Sequence, residues 1–381
     1  MNEKKIRILH VAQASGGVDR YIRMLFKYMD HNKYENILVC SYDFKKEDYS
    51  GLADKFEQLD MRRPIGVADL KATMSVRKLI KQYKPDIVYA HSSKAGVIAR
   101  VADIGIDNVC VYNPHGWAFN MKCSKKKQML YAIIERIAAA LCKKIVCISE
   151  AEKKSALVRK ICREDKLQVI FNGVDIEAYE KRKKNGLNKL TREVLGISKE
   201  AFVVGMVGRI SEQKAPDVFI RAAKLIKQQI HNSYFIIVGN GEQKKSIEKY
   251  ARENNLSNSL LITGWVEHPI DYVELFDIAM LLSRWEGFGL VLPEYMMAGK
   301  PIVATKVDAI PDIIKNQVNG LLVETDDVEA VCKSVIELHE NNNLREQLVV
   351  NGKEDVHKKF DVTRVSHEHN ILFLNLLNRD K

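Results

Sequence analysis

Two glutamates mark the stretch of this sequence that is richest in chemical possibilities. In SRWEGFGLVLPEYMMAGKPIVAT, Glu286 and Glu294 stand eight positions apart, with Gly287 and Gly289 between them and an apolar helix start after them. Carboxylates accept hydrogen bonds, and free backbone amides at the start of a helix attract anions. The pattern therefore predicts a ligand site at a strand-to-helix junction. The alternative is one helix cap and one surface charge.

Two cations follow another apolar run. In VGMVGRISEQK, Arg209 and Lys214 stand just past a predicted strand, where they suit a diphosphate, because arginine offers a planar fork of donors. A solvated charged loop would look the same. Two later strands end in VGNGE and TGWVEHP, and in the second of these Trp265 or Val266 could meet a flat base.

The N-terminal half carries two weaker signals. Gly16 and Gly17 in HVAQASGGVDRY come after the first apolar run and before a helix, so they indicate either phosphate or sugar contact or a simple tight turn. His115 lies between Pro114 and Gly116 in NPHGWAF, at a strand exit. Its side chain either faces a ligand or is structural.

The elements that must position these residues alternate regularly. Apolar runs read IRILHVA, NILVC, DIVYAH, VCVYN, KIVCIS and LQVIF in the first 171 residues, and FVVGMVG, YFIIVG, LLITG, DIAMLLS, PIVAT and GLLV further on. Amphipathic stretches such as Tyr21–Met29 and Ala68–Tyr83 separate them. Near-continuous apolar strands between helices predict an α/β protein with two doubly wound, Rossmann-like parallel sheets that face a central cleft. Such sheets bind ligands at the carboxyl ends of their strands.

The domain organisation follows from these two series. We predict an N-terminal Rossmann-like domain over 1–177, a lysine-rich linker with a short helix over 178–199, and a C-terminal Rossmann-like domain over 200–360. An apolar-sided helix over 361–381 is expected to pack back on the N-terminal domain.

Composition narrows the class of protein. The formal net charge of +11 favours an anionic partner, such as phosphates, a membrane surface or nucleic acid. The seven cysteines are scattered and indicate reduced thiols in a cytoplasmic protein. We expect no membrane-spanning helix and no secretory signal.

Several motifs together resemble a known family. The pieces GGV, PHG, NGVD, GRISEQK, GNGE and TGW, and above all EGFGLVLPE followed by AGKPIVAT, occur in the order found in the retaining family 4 glycosyltransferases of GT-B fold. The resemblance covers nearly the whole chain, and the E-x7-E element is its most specific part.

The resemblance implies that the N-terminal domain over 1–177 binds the acceptor and that the C-terminal domain over 200–360 binds the nucleotide sugar. It also implies a role for each candidate residue. Arg209 and Lys214 would bind the donor diphosphate, Glu294 the nucleotide ribose, and Glu286 the hydroxyls of the transferred sugar. The other donor contacts implied are Gly16 and Gly17, the segment Trp265-Val266 beside the base, and the amides of Phe288, Gly289 and Leu290. His115 would face the donor sugar or the acceptor and, with Glu286, is the predicted catalytic residue. No metal or other cofactor is expected.

The sequence departs from the family pattern at two places. Asp308-Ala309 stands where the family has Gly-Gly, which leaves the donor sugar open. Ala215-Pro216 follows Lys214 where glycine or asparagine is usual.

Residues 121–144, MKCSKKKQMLYAIIERIAAALCKK, combine an apolar helical face with lysines at both ends. The predicted face consists of Leu130, Ile133, Ile134, Ile137 and Leu141. Such a helix either lies on an anionic membrane surface or packs in the core with solvated lysines at its ends.

These observations predict a cytoplasmic glycosyltransferase, peripheral on the inner face of the plasma membrane. It would move a hexosyl unit from a nucleoside-diphosphate sugar to a lipid-linked saccharide in surface-polysaccharide (capsule, exopolysaccharide or O-antigen) biosynthesis. Alternatives are a soluble acceptor, a sugar-nucleotide 2-epimerase of the same fold, and a basic nucleic-acid-binding protein. The spread of the lysines speaks against nucleic acid as a partner.

Overall fold

The computed structural model of the chain describes residues 4–13, 15–61, 66 and 68–377. The chain divides into two compact units: unit 1 comprises Met1–Gly173 and Val362–Lys381, and unit 2 comprises Val174–Asp361. The residues predicted as a linker, 178–199, thus belong to unit 2. The helix predicted over 361–381 is α14 of unit 1, although residues 378–381 lie outside the described part of the chain.

Unit 1 is built on a seven-stranded parallel sheet of order β3-β2-β1-β4-β5-β6-β7. The strands are β1 Ile6–Ala12, β2 Tyr34–Ser41, β3 Lys55–Leu59, β4 Ile87–His91, β5 Val109–Asn113, β6 Lys144–Cys147 and β7 Leu167–Val169. The helices are α1 Gly17–Tyr28, α2 Ala68–Tyr83, α3 Ser93–Ala102, α4 Lys125–Ala139, α5 Glu150–Val158 and, from the chain's end, α14 Val362–Leu376.

Each face of this sheet is buried under helices. One core cluster joins the sheet to α2, α3 and α4, and the other joins it to α1 and α14. Val365, Leu372 and Phe373 of α14 are buried in the second cluster. The C-terminal helix is therefore part of the core of unit 1.

Unit 2 is built on a six-stranded parallel sheet of order β10-β9-β8-β11-β12-β13. The strands are β8 Phe202–Val207, β9 Ser233–Val238, β10 Leu260–Ile262, β11 Ile278–Leu281, β12 Ile302–Thr305 and β13 Leu321–Val323. The helices are α6 Ile176–Lys184, α7 Pro216–Gln229, α8 Lys244–Glu253, α9 Pro269–Val273, α10 Val291–Met297, α11 Ile310–Ile313, α12 Val328–Glu340 and α13 Asn342–Lys359.

The predicted parallel sheets are confirmed, since every apolar run quoted above contains a strand. The sequence missed only β3, KFEQL. This strand lies at the sheet edge and none of its residues is fully buried, so it lacks the apolar run that marks the central strands.

The strand order locates the ligand-binding edge of each sheet. The order reverses between β1 and β4 in unit 1 and between β8 and β11 in unit 2. At such a switch point the loops leave the carboxyl ends of neighbouring strands in opposite directions and open a crevice. The candidate residues 16–17, 208–214 and 283–294 all follow strands at these two points.

Candidate active site

The switch point of unit 2 brings two of the predicted residues into direct contact. The Lys214 ammonium group is paired with a carboxylate oxygen of Glu286, and both side chains are largely buried. The same oxygen accepts a hydrogen bond of 3.0 Å from the Ser283 hydroxyl. A cation and a carboxylate are thus held side by side between β8 and β11. This pairing can meet an anionic group and a hydroxyl of one ligand.

Glycine determines how the loop after β8 is placed. The Gly208 carbonyl oxygen lies against Gly239, where an added Cβ would sit 2.0 Å from it, and an added Cβ on Gly241 would sit 2.3 Å from the Ile210 carbonyl oxygen. No side chain fits at either position. The loops after β8 and β9 therefore pack backbone against backbone, which aligns the 208–214 segment along the strand ends.

A second set of contacts joins the 208–214 segment to the loop after β11. The Arg284 amide donates to the Gln213 carbonyl oxygen at 2.8 Å, and the Gln213 side chain donates to the Trp285 carbonyl oxygen at 3.0 Å. The Arg284 guanidinium also binds Asp217 at 2.6 Å and Asp326 at 2.7 Å. These contacts hold Lys214 and Glu286 in register from both sides.

Asp308, one of the two departures from the family pattern, lies beside Glu286. Its carboxylate accepts a hydrogen bond of 2.8 Å from the Glu286 amide, and its backbone is left-handed with φ 45°. Although Asp308 is exposed overall, partial desolvation of its carboxylate raises its pKa, and the neighbouring Glu286 carboxylate adds to that rise, while the Glu286 amide opposes it. A third polar side chain is therefore present where the family has glycine.

The turn between the two glutamates leads into α10. Gly289 has φ 86°, and an added Cβ there would meet the Leu281 side chain at 3.1 Å. Phe288 is buried and packs against the Phe360 ring with 6.0 Å between centroids. Leu290 caps α10, and Glu294 lies in its first turn with 4% of its surface exposed.

The remaining donor-side candidates are more exposed. Arg209 pairs with Glu242 at 3.3 Å, and two thirds of its side chain is accessible. Trp265 is 79% exposed at the turn after β10, and Val266 beside it is half-buried. An aromatic side chain this exposed is available to stack on a ligand.

In unit 1 the predicted residues surround the other switch point. Gly16, with φ 96°, caps α1, and Gly17 begins that helix, with open space around both. His115 is half-buried after β5 and is also left-handed, with φ 51°. Its Nε2 lies 3.0 Å from Nδ1 of His91, and its ring packs edge-on against Tyr21 with 4.6 Å between centroids.

Comparison with known proteins assigns this arrangement to a family. Residues 15–178 match the model of Glycosyltransferase Family 4, and residues 188–355 match that of Glycosyl transferases group 1. The chain is 30% identical over 348 residues to an Escherichia coli UDP-Gal:alpha-D-GlcNAc-diphosphoundecaprenol alpha-1,3-galactosyltransferase, covering 89% of both proteins. The chain belongs to the family 4 glycosyltransferases.

Other similarities agree with this family and its fold. The glycosyltransferase is 28% identical over 310 residues to the capsular polysaccharide biosynthesis glycosyltransferase CapM of Staphylococcus aureus, covering 79% of this chain and 80% of CapM. It superposes on HepE of Anabaena with a TM-score of 0.79 at 21% identity, covering 96% and 99% of the two chains. It superposes on sucrose-phosphate synthase of Thermosynechococcus elongatus with a TM-score of 0.83 at 16% identity, covering 99% and 100%. The fold is GT-B.

The loop that carries His115 in the glycosyltransferase depends on a residue that the sequence did not single out. Glu152, buried at the start of α5, accepts hydrogen bonds of 2.7 Å from the amides of Gly116 and Ile148, and its carbonyl oxygen accepts one from the Trp117 indole. Burial raises the pKa of Glu152 to about 7, against the effect of the two amides. Glu152 therefore fixes the loop that carries His115.

Helix α4 of the glycosyltransferase turns large apolar side chains outward. Met129, Leu130, Ile133 and Ile137 are between 44% and 68% exposed, whereas the buried side is formed by Ala132, Glu135, Ala138 and Ala139. Of the predicted stripe, Ile134 and Leu141 are half-buried. Core packing therefore does not account for the whole apolar face. None of the helices described is long and apolar enough to cross a membrane.

Proposed function

We propose that this glycosyltransferase moves a hexosyl unit from a nucleoside-diphosphate sugar to a lipid-linked saccharide during surface-polysaccharide biosynthesis, with retention of anomeric configuration and without a metal ion. The donor and acceptor classes follow those in the name of the Escherichia coli relative. The polysaccharide context follows that relative and CapM.

The observation that supports the proposal best is the pair Lys214–Glu286 at the switch point of unit 2. A sugar nucleotide has a diphosphate next to the sugar, so a buried cation beside a carboxylate fits that junction. Lys214 would take a phosphate oxygen and Glu286 a sugar hydroxyl. Glu294, one turn into α10, would take the ribose.

Glycosyl transfer from a sugar nucleotide requires stabilisation of the leaving diphosphate. Lys214 and Arg209, together with the amides of Phe288, Gly289 and Leu290, offer positive charge and N–H donors for it, so these residues can serve in place of a metal ion. A leaving phosphate oxygen on the same face as the incoming hydroxyl can accept the acceptor's proton. This path retains the configuration and needs no protein nucleophile.

The acceptor side of the proposal includes a membrane surface. Glu135, on the inner side of α4, forms a buried ion pair with Arg100 at 2.8 Å and accepts a hydrogen bond from the Tyr112 hydroxyl at 2.9 Å. Because breaking such a buried pair is costly, α4 is held with its apolar side outward.

Lysines border that outward side. Lys125, Lys126 and Lys127 occupy the first turn of α4 and are exposed, and that turn has no acidic residue. Cations at a helix N-terminus oppose the helix dipole, so they do not stabilise the helix itself. They suit an anionic lipid surface, with the apolar side chains entering the headgroup region. We place the protein at the cytoplasmic face of the plasma membrane on this basis.

The test is transfer with defined substrates. The full chain is incubated with UDP-galactose, UDP-glucose or their N-acetylated counterparts and a short-chain prenyl diphosphate that bears GlcNAc, with and without EDTA. We expect a longer saccharide on the lipid, an α-linkage by NMR from an α-linked donor, and unchanged rates with EDTA.

The outcomes separate the alternatives. Isomerised donor without transfer would indicate the epimerase, and equal transfer to free GlcNAc would indicate a soluble acceptor. A β-linked product, or loss of activity with EDTA, would contradict retention or metal independence separately.

A further inference from the structure

Four of the protein's ten histidines come together in unit 1, at positions 10, 91, 115 and 369; the first, second and fourth are fully buried and the third is half-buried. Three of them, His10, His91 and His115, form a continuous row of hydrogen-bonded rings, the histidine chain. Nδ1 of His10 lies 3.1 Å from Nε2 of His91, and Nδ1 of His91 lies 3.0 Å from Nε2 of His115. The rings are stacked, with 5.3 Å between centroids at each step.

Hydrogen-bonding rules couple the three rings. A neutral imidazole carries one N–H and one lone pair, and both nitrogens of His91 are engaged. If His91 donates from Nδ1 to His115, it must accept from Nδ1 of His10. If it donates from Nε2 to His10, it must accept from Nε2 of His115. Every ring of the chain therefore carries its proton on the same type of nitrogen.

Burial keeps these rings uncharged. It lowers the pKa of His10 and of His115 to about 3, and that of His91 well below its ordinary value. The other titratable groups around the chain are Tyr21, Tyr89, Glu152, Arg364 and His369. Tyr21 and Tyr89 are bonded to Nε2 of His369, whose Nδ1 donates to the Val365 carbonyl oxygen.

The two ends of the histidine chain, His10 and His115, differ in their surroundings. At the buried end, Nε2 of His10 and the side-chain amide of Asn36 form no hydrogen bond of ordinary length with the described residues, but the Asn36 side chain lies close enough to His10 to oppose the lowering of its pKa. That amide can turn its oxygen or its NH2 group toward His10. At the other end, His91 occupies Nε2 of His115, so Nδ1 is the nitrogen left to a ligand. The His115 amide bonded to the Asn113 side chain at 3.0 Å helps to keep the ring in place.

We propose that His91 and His10 are positioning residues for His115: they set its proton on one nitrogen and leave Nδ1 to meet a hydroxyl of the substrate. This rests on the proposed function for the identity of the substrate. A neutral ring can both donate a hydrogen bond to a hydroxyl and accept one from it. His115 thus orients a substrate hydroxyl.

The shared tautomer of the histidine chain can be tested without any substrate. The full protein is labelled with ¹⁵N-histidine, and the ring nitrogens are assigned through single His→Gln variants. At pH 6–7 we expect His10, His91 and His115 to be neutral and to share one tautomer. Different tautomers among the three, or a charged His115 at pH 6, would overturn the proposal whatever reaction the enzyme catalyses.

A variant at the middle of the histidine chain tests whether the chain contributes to kcat. His91→Phe keeps an aromatic ring and removes both nitrogens, so His115 should lose its single tautomer, and kcat for transfer should fall about tenfold. Affinity for free UDP, which the unit 2 residues bind, should stay within about twofold. His91→Gln, which can still donate and accept, should recover part of the rate.

A matched control removes an equally buried histidine. His369→Gln should leave the tautomer of His115 unchanged, because His369 bonds to Tyr21 and Tyr89 and not to a ring of the chain. Unchanged kcat and an unchanged His115 tautomer in His91→Phe would refute the positioning role. If wild type shows no transfer, the proposed function alone fails, because the NMR spectra still test the shared tautomer of the histidine chain.

Discussion

Lys214 and Glu286 form an ion pair at the switch point of unit 2, although 72 residues of sequence separate them. Ser283 donates to the same carboxylate oxygen, and Asp308 accepts from the Glu286 amide. The pair keeps a cation and an acceptor in place before any ligand arrives, which lowers the entropic cost of binding.

Removing the cation should weaken nucleotide binding. Lys214→Ala loses a charge-assisted contact of about 1.5–3 kcal/mol, or roughly 10- to 150-fold in affinity for UDP by calorimetry. Arg209→Ala should lose less, because most of its side chain is solvent-exposed and its contacts are screened. Lys249→Ala, an exposed lysine of α8, is the control and should bind UDP normally. Unchanged affinity in both site variants would contradict the diphosphate assignment.

Substitution of Glu294 and substitution of Glu286 should change different kinetic parameters. Glu294→Gln would remove the proposed contact to the ribose, which is as strong before transfer as during it, so donor KM should rise and UDP should bind more weakly. Glu286→Gln would remove the proposed contact to the reacting sugar, so kcat should fall most and UDP should bind nearly normally. Steady-state kinetics and calorimetry separate the two. Equal losses of UDP affinity would refute this division.

Asp308 should act through the Glu286 backbone. Asp308→Asn keeps an oxygen for the Glu286 amide and should change kcat less than about twofold, whereas Asp308→Gly removes that acceptor at about 1 kcal/mol, or roughly fivefold in kcat. Glycine also suits φ 45°, so the loss reflects the side chain. Gln317→Gly, at another left-handed exposed position with φ 59°, controls for backbone flexibility. A larger effect of Asn than of Gly would show that the charge itself matters.

Acid should destabilise unit 1 through its buried histidines. The pKa of His10 and of His115 is lowered to about 3 and that of His369 to about 4, from 6.5, so each takes up a proton on unfolding between those values. Their stabilisation is complete above pH 6.5 and is lost as pH falls. Each contributes a slope of up to about 1.4 kcal/mol per pH unit. Glu152, whose pKa is raised to about 7, has the opposite sign but is one group against several.

Urea unfolding at pH 7.5, 6.5 and 5.5 checks this. The free energy of unfolding should decrease over that range, and His369→Gln should flatten the decrease. His357→Gln, at an exposed histidine of unit 2, should leave the slope unchanged. Equal slopes in wild type and His369→Gln would show that burial of this ring does not govern the acid response.

The lysines of α4 should govern lipid binding. Replacing Lys125, Lys126 and Lys127 by serine removes about 1 kcal/mol each near an anionic surface, so vesicles of phosphatidylglycerol should bind roughly 100-fold more weakly at low salt. High salt should erase the difference. The matched control replaces three exposed lysines of α6, Lys181, Lys183 and Lys184, by serine. Equal loss in both triples would indicate net charge, and no binding by wild type would exclude the surface.

The sequence by itself determined the two parallel sheets and the edge of each sheet at which we propose that a ligand binds. Central parallel strands are buried on both faces, so they appear as apolar runs, and the residues just after them must lie at one edge of the sheet. Lys214 and Glu286 could be found for that reason. The edge strand β3 could not, because half-burial leaves no such run.

Only the tertiary structure decided which of these residues meet. The order β1-β4-β5 places His10 and His91 on neighbouring strands and His115 just after the next strand, and the return of α14 adds His369. The outward side of α4 depends on the buried ion pair of its Glu135 with Arg100, and Arg100 lies on α3. Strand order and helix rotation arise from long-range packing, so neither can be predicted from hydrophobic periodicity along the sequence.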